Sequence, residues 1–84
     1  MRAKIIEIDV EQNPSGLMHA TSRSMRELLV SGHSMDELFS DIPIVISEIY
    51  SAHGHAVDVF EAEHPGSERR SFVVVSNERL LART

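Results

Sequence analysis

Alternation of apolar and polar residues, with a period of two, is the commonest pattern along this chain. In 4-KIIEIDV-10, Ile6, Ile8 and Val10 fall on one face of a predicted strand, while Ile5, Glu7 and Asp9 fall on the other. This period is typical of strands with one buried and one solvated face. Similar stretches predict further strands at residues 17–22, 26–32, 56–63 and 71–76. Turns rich in Asn, Pro and Gly are predicted at residues 11–16 and 64–69.

A different period, 3.6 residues, predicts one helix in the middle of the chain. Ser34 and Glu37 mark its start, because they have the S-x-x-E spacing of a capping box. In that motif each side chain accepts a hydrogen bond from the other residue's backbone N–H. Gly54 marks its end as a natural C-terminal cap. The apolar stripe that would face a sheet comprises Met35, Leu38, Phe39, Ile42, Val45, Ile46, Ile49 and Tyr50.

Pro43 lies inside this helical pattern and raises the question of whether the helix is continuous. Its ring removes the backbone hydrogen bond to the carbonyl of Phe39 and disfavours helical angles at Ile42. Two interpretations remain open, namely one kinked helix or a turn at 35–41 followed by a second helix at 43–52. We favour the single kinked helix, because the apolar stripe stays in phase across Pro43.

The predicted element order is β-β-β-α-β with a fifth strand after it. This order indicates an α+β domain, in which one helix packs on a small, mostly antiparallel sheet. With 84 residues, we predict a single domain spanning 1–84 without a DNA-binding domain. Its last residues, 77–84, are predicted to be a frayed tail or a short helix. A core of this size is thin, so a partner or a second copy would add burial.

Composition narrows the classes of function. Eight basic and thirteen acidic residues give a net charge of −5, which argues against phosphate-backbone binding and fits a basic partner. The chain has no cysteine, so a disulfide or thiolate metal site is excluded and a reducing compartment is tolerated. It has no apolar run of signal-peptide or membrane-spanning length, and we therefore predict a cytoplasmic protein without a membrane contact.

The polar side of the predicted helix is the most informative feature of the sequence. It carries four acidic residues and no Lys or Arg at the i+4 positions that would neutralise them. Ile44 lies at the centre of this face, opposite the apolar stripe. The face is either a solvated surface or an acidic contact surface with an apolar centre for a basic protein. For the second case the predicted contact residues are Asp36, Glu37, Asp41, Ile44 and Glu48.

Other combinations of reactive side chains give weaker signals. His53 and His55 are a close pair, but this spacing is not specific for zinc and no third ligand is placed near them. The Arg69-Arg70 pair is too small for a nucleic-acid patch and predicts a solvated loop. A magnesium-dependent nuclease would have to gather several carboxylates, and the candidates are Asp9 with Glu7, Glu11 or Asp58. Alternating carboxylates on a strand usually mark its solvent face, so we predict no catalytic residue, metal or cofactor.

The order and spacing of the turn and cap signals resemble the N-terminal domain of HicB-type antitoxins, especially the small stand-alone HicB-like proteins of bacteria. The similar region, 9–50, covers about half of the chain. The matching residues are Asp9, Glu11, Gly16, 20-ATS-22, 28-LLV-30, Ser34, Asp36, Glu37, Leu38, Pro43 and Glu48. The chain departs from the family pattern at 25-MREL-28, where the family has Pro-Gly before its third strand.

This resemblance implies a fold and a partner. The implied fold is a partial ribonuclease-H-like β-β-β-α-β unit that is non-catalytic. The implied partner is a small, basic, HicA-like toxin that resembles double-stranded-RNA-binding proteins and cleaves mRNA with a histidine. HicB proteins also self-associate, so a homodimer or higher oligomer is expected. Full-length members continue into a DNA-binding segment, which the roughly 30 residues after the predicted helix do not resemble.

The sequence therefore predicts an antitoxin-like, non-enzymatic binding module that sequesters a basic RNase and makes no direct contact with nucleic acid. Two alternatives stay open. One is a self-associating domain without a toxin, in which the apolar run 72-FVVV-75 forms a sheet edge that pairs with a second copy. The other is the divergent magnesium-dependent nuclease.

Overall fold

A computed structural model of the chain describes residues 3–62 and 70–77, in which one helix packs on a five-stranded sheet. The helix, α1, spans Met35–Ala52. The strands are β1 (Ala3–Gln12), β2 (Met18–Thr21), β3 (Leu29–Gly32), β4 (Val57–Ala62) and β5 (Arg70–Ser76). The predicted α+β class and the predicted fifth strand are thus confirmed.

The strands lie in the order β3-β2-β1-β5-β4, and every adjacent pair is antiparallel. The prediction that 72–75 form a sheet edge is wrong, because β5 lies between β1 and β4. Its continuous apolar run has a different cause. Phe72 and Val74 are buried on the side of the sheet that faces α1, whereas Val73 and Val75 are half-buried on the other side. Among the described residues, β3 and β4 form the two edges of the sheet.

Several strand boundaries differ from the predicted ones. β1 continues to Gln12, two residues into the turn predicted at 11–16. The third strand was expected over 26–32, but β3 begins only at Leu29. A turn precedes it, in which the Leu28 N–H donates to the Met25 carbonyl at 3.1 Å and both side chains are buried. Buried residues in a turn follow no regular spacing, so the apolar residues before Leu29 were interpreted as part of a longer strand. Arg70 belongs to β5 rather than to the solvated loop that we predicted for it.

The turn between β1 and β2 forms as the sequence indicates. The Gly16 N–H donates to the Asn13 carbonyl at 3.0 Å, and Gly16 takes a φ of 93°. The Asn13 side-chain oxygen accepts from the N–H groups of Ser15 and Leu17 at 3.2 and 3.1 Å. An asparagine that bonds to the following backbone N–H groups stabilises such a turn. The hairpin then aligns Val10 with Ala20.

The start of α1 uses half of the predicted capping box. The Ser34 hydroxyl accepts from the Glu37 N–H at 3.1 Å, as the motif requires. The Glu37 carboxylate, however, accepts from the N–H of His33 at 3.4 Å and not from that of Ser34. The helix start is capped all the same, because the Ser34 hydroxyl satisfies one of its first N–H groups.

The end of α1 has both hydrogen bonds of a Schellman motif. The His55 N–H donates to the Tyr50 carbonyl at 2.9 Å, and the Gly54 N–H donates to the Ser51 carbonyl at 3.0 Å. Gly54 has a φ of 84°, which favours glycine. The helix continues through Pro43, which confirms one helix instead of two.

The core lies between α1 and the sheet. The helix buries Leu38, Phe39, Ile42 and Ile46 of the predicted stripe. Met35, which the stripe also included, lies in the first turn and is exposed. The sheet and the turn before β3 contribute Ile6, Ile8, Ala20, Met25, Leu28, Val30, Phe72 and Val74. Gly32 allows α1 to approach β3 closely, because a Cβ at this position would lie 3.3 Å from the backbone nitrogen of Leu38.

Asn77, which we predicted to begin a frayed tail, is held in place. Its N–H donates to the Ala56 carbonyl at 3.0 Å, and its side-chain amide donates to the Asp58 carboxylate at 3.3 Å. The tail prediction for 78–84 and the turn prediction for 64–69 lie outside the described residues. In the described part of the chain, the one helix lacks the length and apolar character needed to cross a membrane.

Candidate partner-binding surface

Four of the five predicted contact residues form one line along the outer face of α1. Glu37, Asp41, Ile44 and Glu48 follow each other at spacings of four, three and four residues, which places them on one side of a helix. The line is about 16 Å long, given the rise of a helix. Asp36 lies to one side of it, about 80° from Ile44 around the helix axis. All five residues are exposed, and Ile44 retains 57 % of its accessible surface.

The carboxylates of this line have no counter-charge in the part of the chain that the structure describes. The described ion pairs lie elsewhere, between Arg70 and Glu61, Arg23 and Asp9, and His53 and Glu27. The sequence showed no cation on the helix itself, and the described strands bring no Lys or Arg into an ion pair with it. The helix therefore presents concentrated negative charge around an exposed isoleucine.

A groove runs between the outer face of α1 and the edge strand β4. Its volume is ≈ 370 Å³, and it is lined by Pro43, Ile44, Ser47 and Glu48 from the helix and by Val57, Asp58 and Val59 from the strand. A second groove of ≈ 270 Å³ adjoins it through Ser47 and Val57, and it is further lined by Ser51, Gly54, His55 and Ala56. The helix face and the sheet edge thus form one extended surface.

This groove divides the predicted contact residues into groups. Ile44 and Glu48 border it, whereas Asp41 lies on the helix away from it. Asp36 and Glu37 lie in the first turn of α1, where Glu37 also contributes to the helix cap. The predicted contact residues did not include Val57, Asp58 and Val59, which line the groove from β4. The alternation in 56–63 predicted a strand there, but no pattern in the sequence shows which strand lies beside the helix.

The four carboxylates of the nuclease alternative do not converge. Glu7, Asp9 and Glu11 follow one face of β1 at intervals of about 7 Å. Asp58 lies opposite Val75, which in turn lies opposite Ala3. Ala3 is six residues from Asp9 (9 − 3), or roughly 20 Å along the strand. Within residues 3–62 and 70–77, no three His, Asp or Glu side chains are grouped so that they could hold a metal ion.

The predicted loop histidines take part in ordinary surface contacts. The Nε2 atom of His53 lies 3.0 Å from a carboxylate oxygen of Glu27, and both side chains are more than half exposed. His55 supplies the backbone N–H that caps α1. Neither geometry indicates a zinc site.

The face of the sheet opposite α1 carries a row of apolar side chains. Ile5 pairs with Val73, and Val73 pairs with Phe60, so the row crosses β1, β5 and β4. Ile5 and Phe60 retain 59 % and 58 % of their accessible surface. Leu29 on β3 is exposed as well. These residues bear on the self-association alternative, because apolar patches on a surface often mark contacts between proteins.

Comparison with known proteins adds no assignment to this geometry. No family model matches the chain, and no curated protein or solved structure matches it. The resemblance of residues 9–50 to HicB-type antitoxins therefore stays a prediction.

Proposed function

We propose that the protein is a non-catalytic binding module that sequesters a small basic protein on the outer face of α1, as an antitoxin sequesters an RNase toxin. One observation carries the proposal, namely the exposed Ile44 in a line of carboxylates that have no counter-charge within the described chain. We further propose that it acts in the cytoplasm, which the absence of cysteine supports.

The two parts of this surface would have separate roles in binding. Protein interfaces combine an apolar centre, which is desolvated on binding, with a polar rim. Ile44 has the position of such a centre, and Asp41 and Glu48 have the position of the rim. The net charge of −5 would speed the encounter with a basic partner. A basic RNase that binds nucleic acid through Lys and Arg is complementary to this surface in charge.

The family resemblance points to the same class of partner. The three hairpin-connected strands followed by a helix agree with the partial ribonuclease-H-like unit that the resemblance implies, and we propose this classification on that basis. The sheet differs from the ribonuclease H fold in one respect. That fold has a mixed sheet with parallel neighbours, whereas all described neighbours here are antiparallel.

The first partner to test is the protein encoded by the adjacent gene. Co-expression with a tag on the partner, followed by pull-down, should recover both chains in a fixed ratio. The variant with Asp41→Lys and Glu48→Lys should lose the complex, because both changes reverse the charge next to Ile44. Glu11→Lys is the control for a charge reversal elsewhere, since Glu11 is exposed on the face of the sheet opposite α1. Equal loss in both variants, or no complex with a basic neighbour, would contradict the proposal.

A self-associating domain is the second candidate, and the apolar row on the open sheet face favours it. Two copies that pack through Ile5, Val73 and Phe60 would bury these side chains. Sedimentation at micromolar concentration should then show a dimer that Phe60→Ser dissociates. A monomer in the unsubstituted chain would exclude this candidate.

A further inference from the structure

The edge strand β4 directs one set of its backbone groups away from the sheet. Val57 lies opposite Ser76, so Ala56 lies opposite Asn77. The Asn77 N–H donates to the carbonyl of Ala56, which makes this a hydrogen-bonded pair. Along two antiparallel strands, a pair of opposite residues that are hydrogen-bonded to each other is followed by a pair that is not. Residues 58, 60 and 62 therefore bond to β5, and the N–H and C=O groups of Val57, Val59 and Glu61 point outward. In the described chain, no strand lies beyond them.

Apolar side chains on both faces of this edge would contact an added strand. Val57 and Val59 are half-buried on the side of α1, where they line the ≈ 370 Å³ groove together with Ile44. Phe60 points to the other side of the sheet and is 58 % exposed. A strand laid beside β4 would place alternate side chains into the groove and next to Phe60.

The two edges of the sheet differ in how they would receive another strand. Proteins protect edges by making them short or by placing Lys or Pro in them. β3 is short, with four residues. β4 has six residues, 57-VDVFEA-62, without Pro, Lys or Arg. Its charged residues are Asp58 and Glu61, and Glu61 is paired with Arg70.

We propose that β4 accepts an extended segment of a basic partner protein as a sixth strand, seated in the groove between α1 and β4. This inference rests on the proposed function and names how that partner is held. Asp58 lies on this edge and Glu48 on the helix beside it, so the edge carries negative charge that favours Lys and Arg in the incoming strand. A second copy of this chain is the poorer occupant, because each copy carries a net charge of −5 and would bring the same acidic edge.

The geometry specifies the pattern of the incoming segment. Its backbone bonds to Val57, Val59 and Glu61, as in other cases of strand addition. Its apolar side chains alternate toward the groove and meet Ile44, while its basic side chains lie on the opposite side of the sheet, the side of Asp58 and Phe60. A run of alternating Val and Lys residues satisfies both requirements.

A synthetic probe tests this pattern directly. The seven-residue peptide Thr-Lys-Val-Lys-Val-Lys-Thr, titrated into the ¹⁵N-labelled chain, should shift the amide signals of β4 and of the helix residues that line the groove. Two controls accompany it: a peptide of the same composition with its valines adjacent, and an analogue with Glu in place of Lys. Both should bind at least about tenfold more weakly, because the first lacks the alternation of apolar side chains and the second lacks the basic side chains. Equal binding of the adjacent-valine peptide would overturn strand addition.

Val59→Pro tests the backbone contact. Proline removes the outward N–H of Val59 but leaves the hydrogen bonds to β5, and it is tolerated at sheet edges. Peptide affinity should fall about tenfold. Val59→Thr, which retains the N–H and the branched side chain, should bind within about twofold. If Val59→Pro alters amide signals outside β4, the fold is disturbed and the double variant Glu48→Lys and Asp58→Lys is used in its place. Unchanged peptide affinity in that double variant would overturn the proposal.

The co-expressed partner separates this inference from the proposed function. If Asp41→Lys with Glu48→Lys abolishes the complex and Val59→Pro leaves it intact, the helix face binds the partner and strand addition is wrong. If Val59→Pro weakens the complex and Val59→Thr does not, both hold. If no basic partner binds and the alternating peptide fails as well, both are wrong.

Discussion

The guanidinium carbon of Arg70 lies 3.6 Å from the centroid of the Phe39 ring, so a cation from β5 covers an aromatic side chain of α1. Phe39 in turn stacks on Phe72 at 6.1 Å between ring centroids. The Arg70 Nε–H also donates to the Glu61 carboxylate at 2.8 Å. One side chain thus connects the helix with β4 and β5 at the rim of the core.

Replacing this arginine should lower the stability of the fold. Arg70→Met retains the aliphatic stem but removes the charge above the Phe39 ring, at a cost of about 1 kcal/mol in the free energy of unfolding. The partly exposed ion pair with Glu61 adds little. Urea denaturation followed by circular dichroism measures the change. Arg26→Met is the control, because Arg26 is exposed and has no described ion pair; an equal loss there would contradict the role of Arg70.

Substitution of two isoleucines on α1 by alanine should affect different properties, namely stability at Ile46 and partner binding at Ile44. Ile46 is fully buried against the sheet, whereas Ile44 is 57 % exposed. Ile46→Ala should cost about 2–4 kcal/mol, because it removes buried methyl groups and leaves a cavity. Ile44→Ala should change stability by less than about 0.5 kcal/mol yet weaken the complex with a basic partner. Thermal unfolding and pull-down of the same two variants check both statements.

The helix start depends on the Ser34 hydroxyl. Ser34→Ala removes the acceptor for the Glu37 N–H and should destabilise the protein by about 1 kcal/mol. Ser40→Ala is the matched control on the exposed side of the same helix. Alanine has the higher helix propensity, so Ser40→Ala should be neutral or slightly stabilising. Urea denaturation measures both variants, and an unchanged free energy of unfolding in Ser34→Ala would contradict this role of the cap.

The helix end depends on the left-handed conformation of Gly54. No heavy atom lies within 4 Å of the Cβ position at Gly54, so steric crowding is not the obstacle to substitution. The obstacle is the φ of 84°, because residues with a Cβ rarely adopt this backbone conformation. Gly54→Ala should therefore cost about 1 kcal/mol, and Gly54→Asn should cost less, since Asn tolerates this region better. A reversed order in thermal unfolding would contradict this explanation.

Local signals in the sequence were sufficient for most of the elements. The cap at Ser34, the turn at Asn13 and the C-terminal glycine at Gly54 involve residues within five positions of each other, so short-range hydrogen bonding determines them. The apolar stripe of α1 was also predictable, because its period of 3.6 differs from that of the strands. The turn at Met25 and Leu28 was not predictable, since it is held by burial from distant residues.

The sequence by itself determined the type and order of the elements, the capped helix and the acidic line on its outer side. Only the tertiary structure decided that β5 lies between β1 and β4, and hence that β4 is an edge. Strand order depends on pairings between residues far apart in the chain, and an apolar strand suits several places in a sheet. For the same reason the groove that joins Ile44 to Val57 and Val59 exists only after the helix and the sheet have packed together.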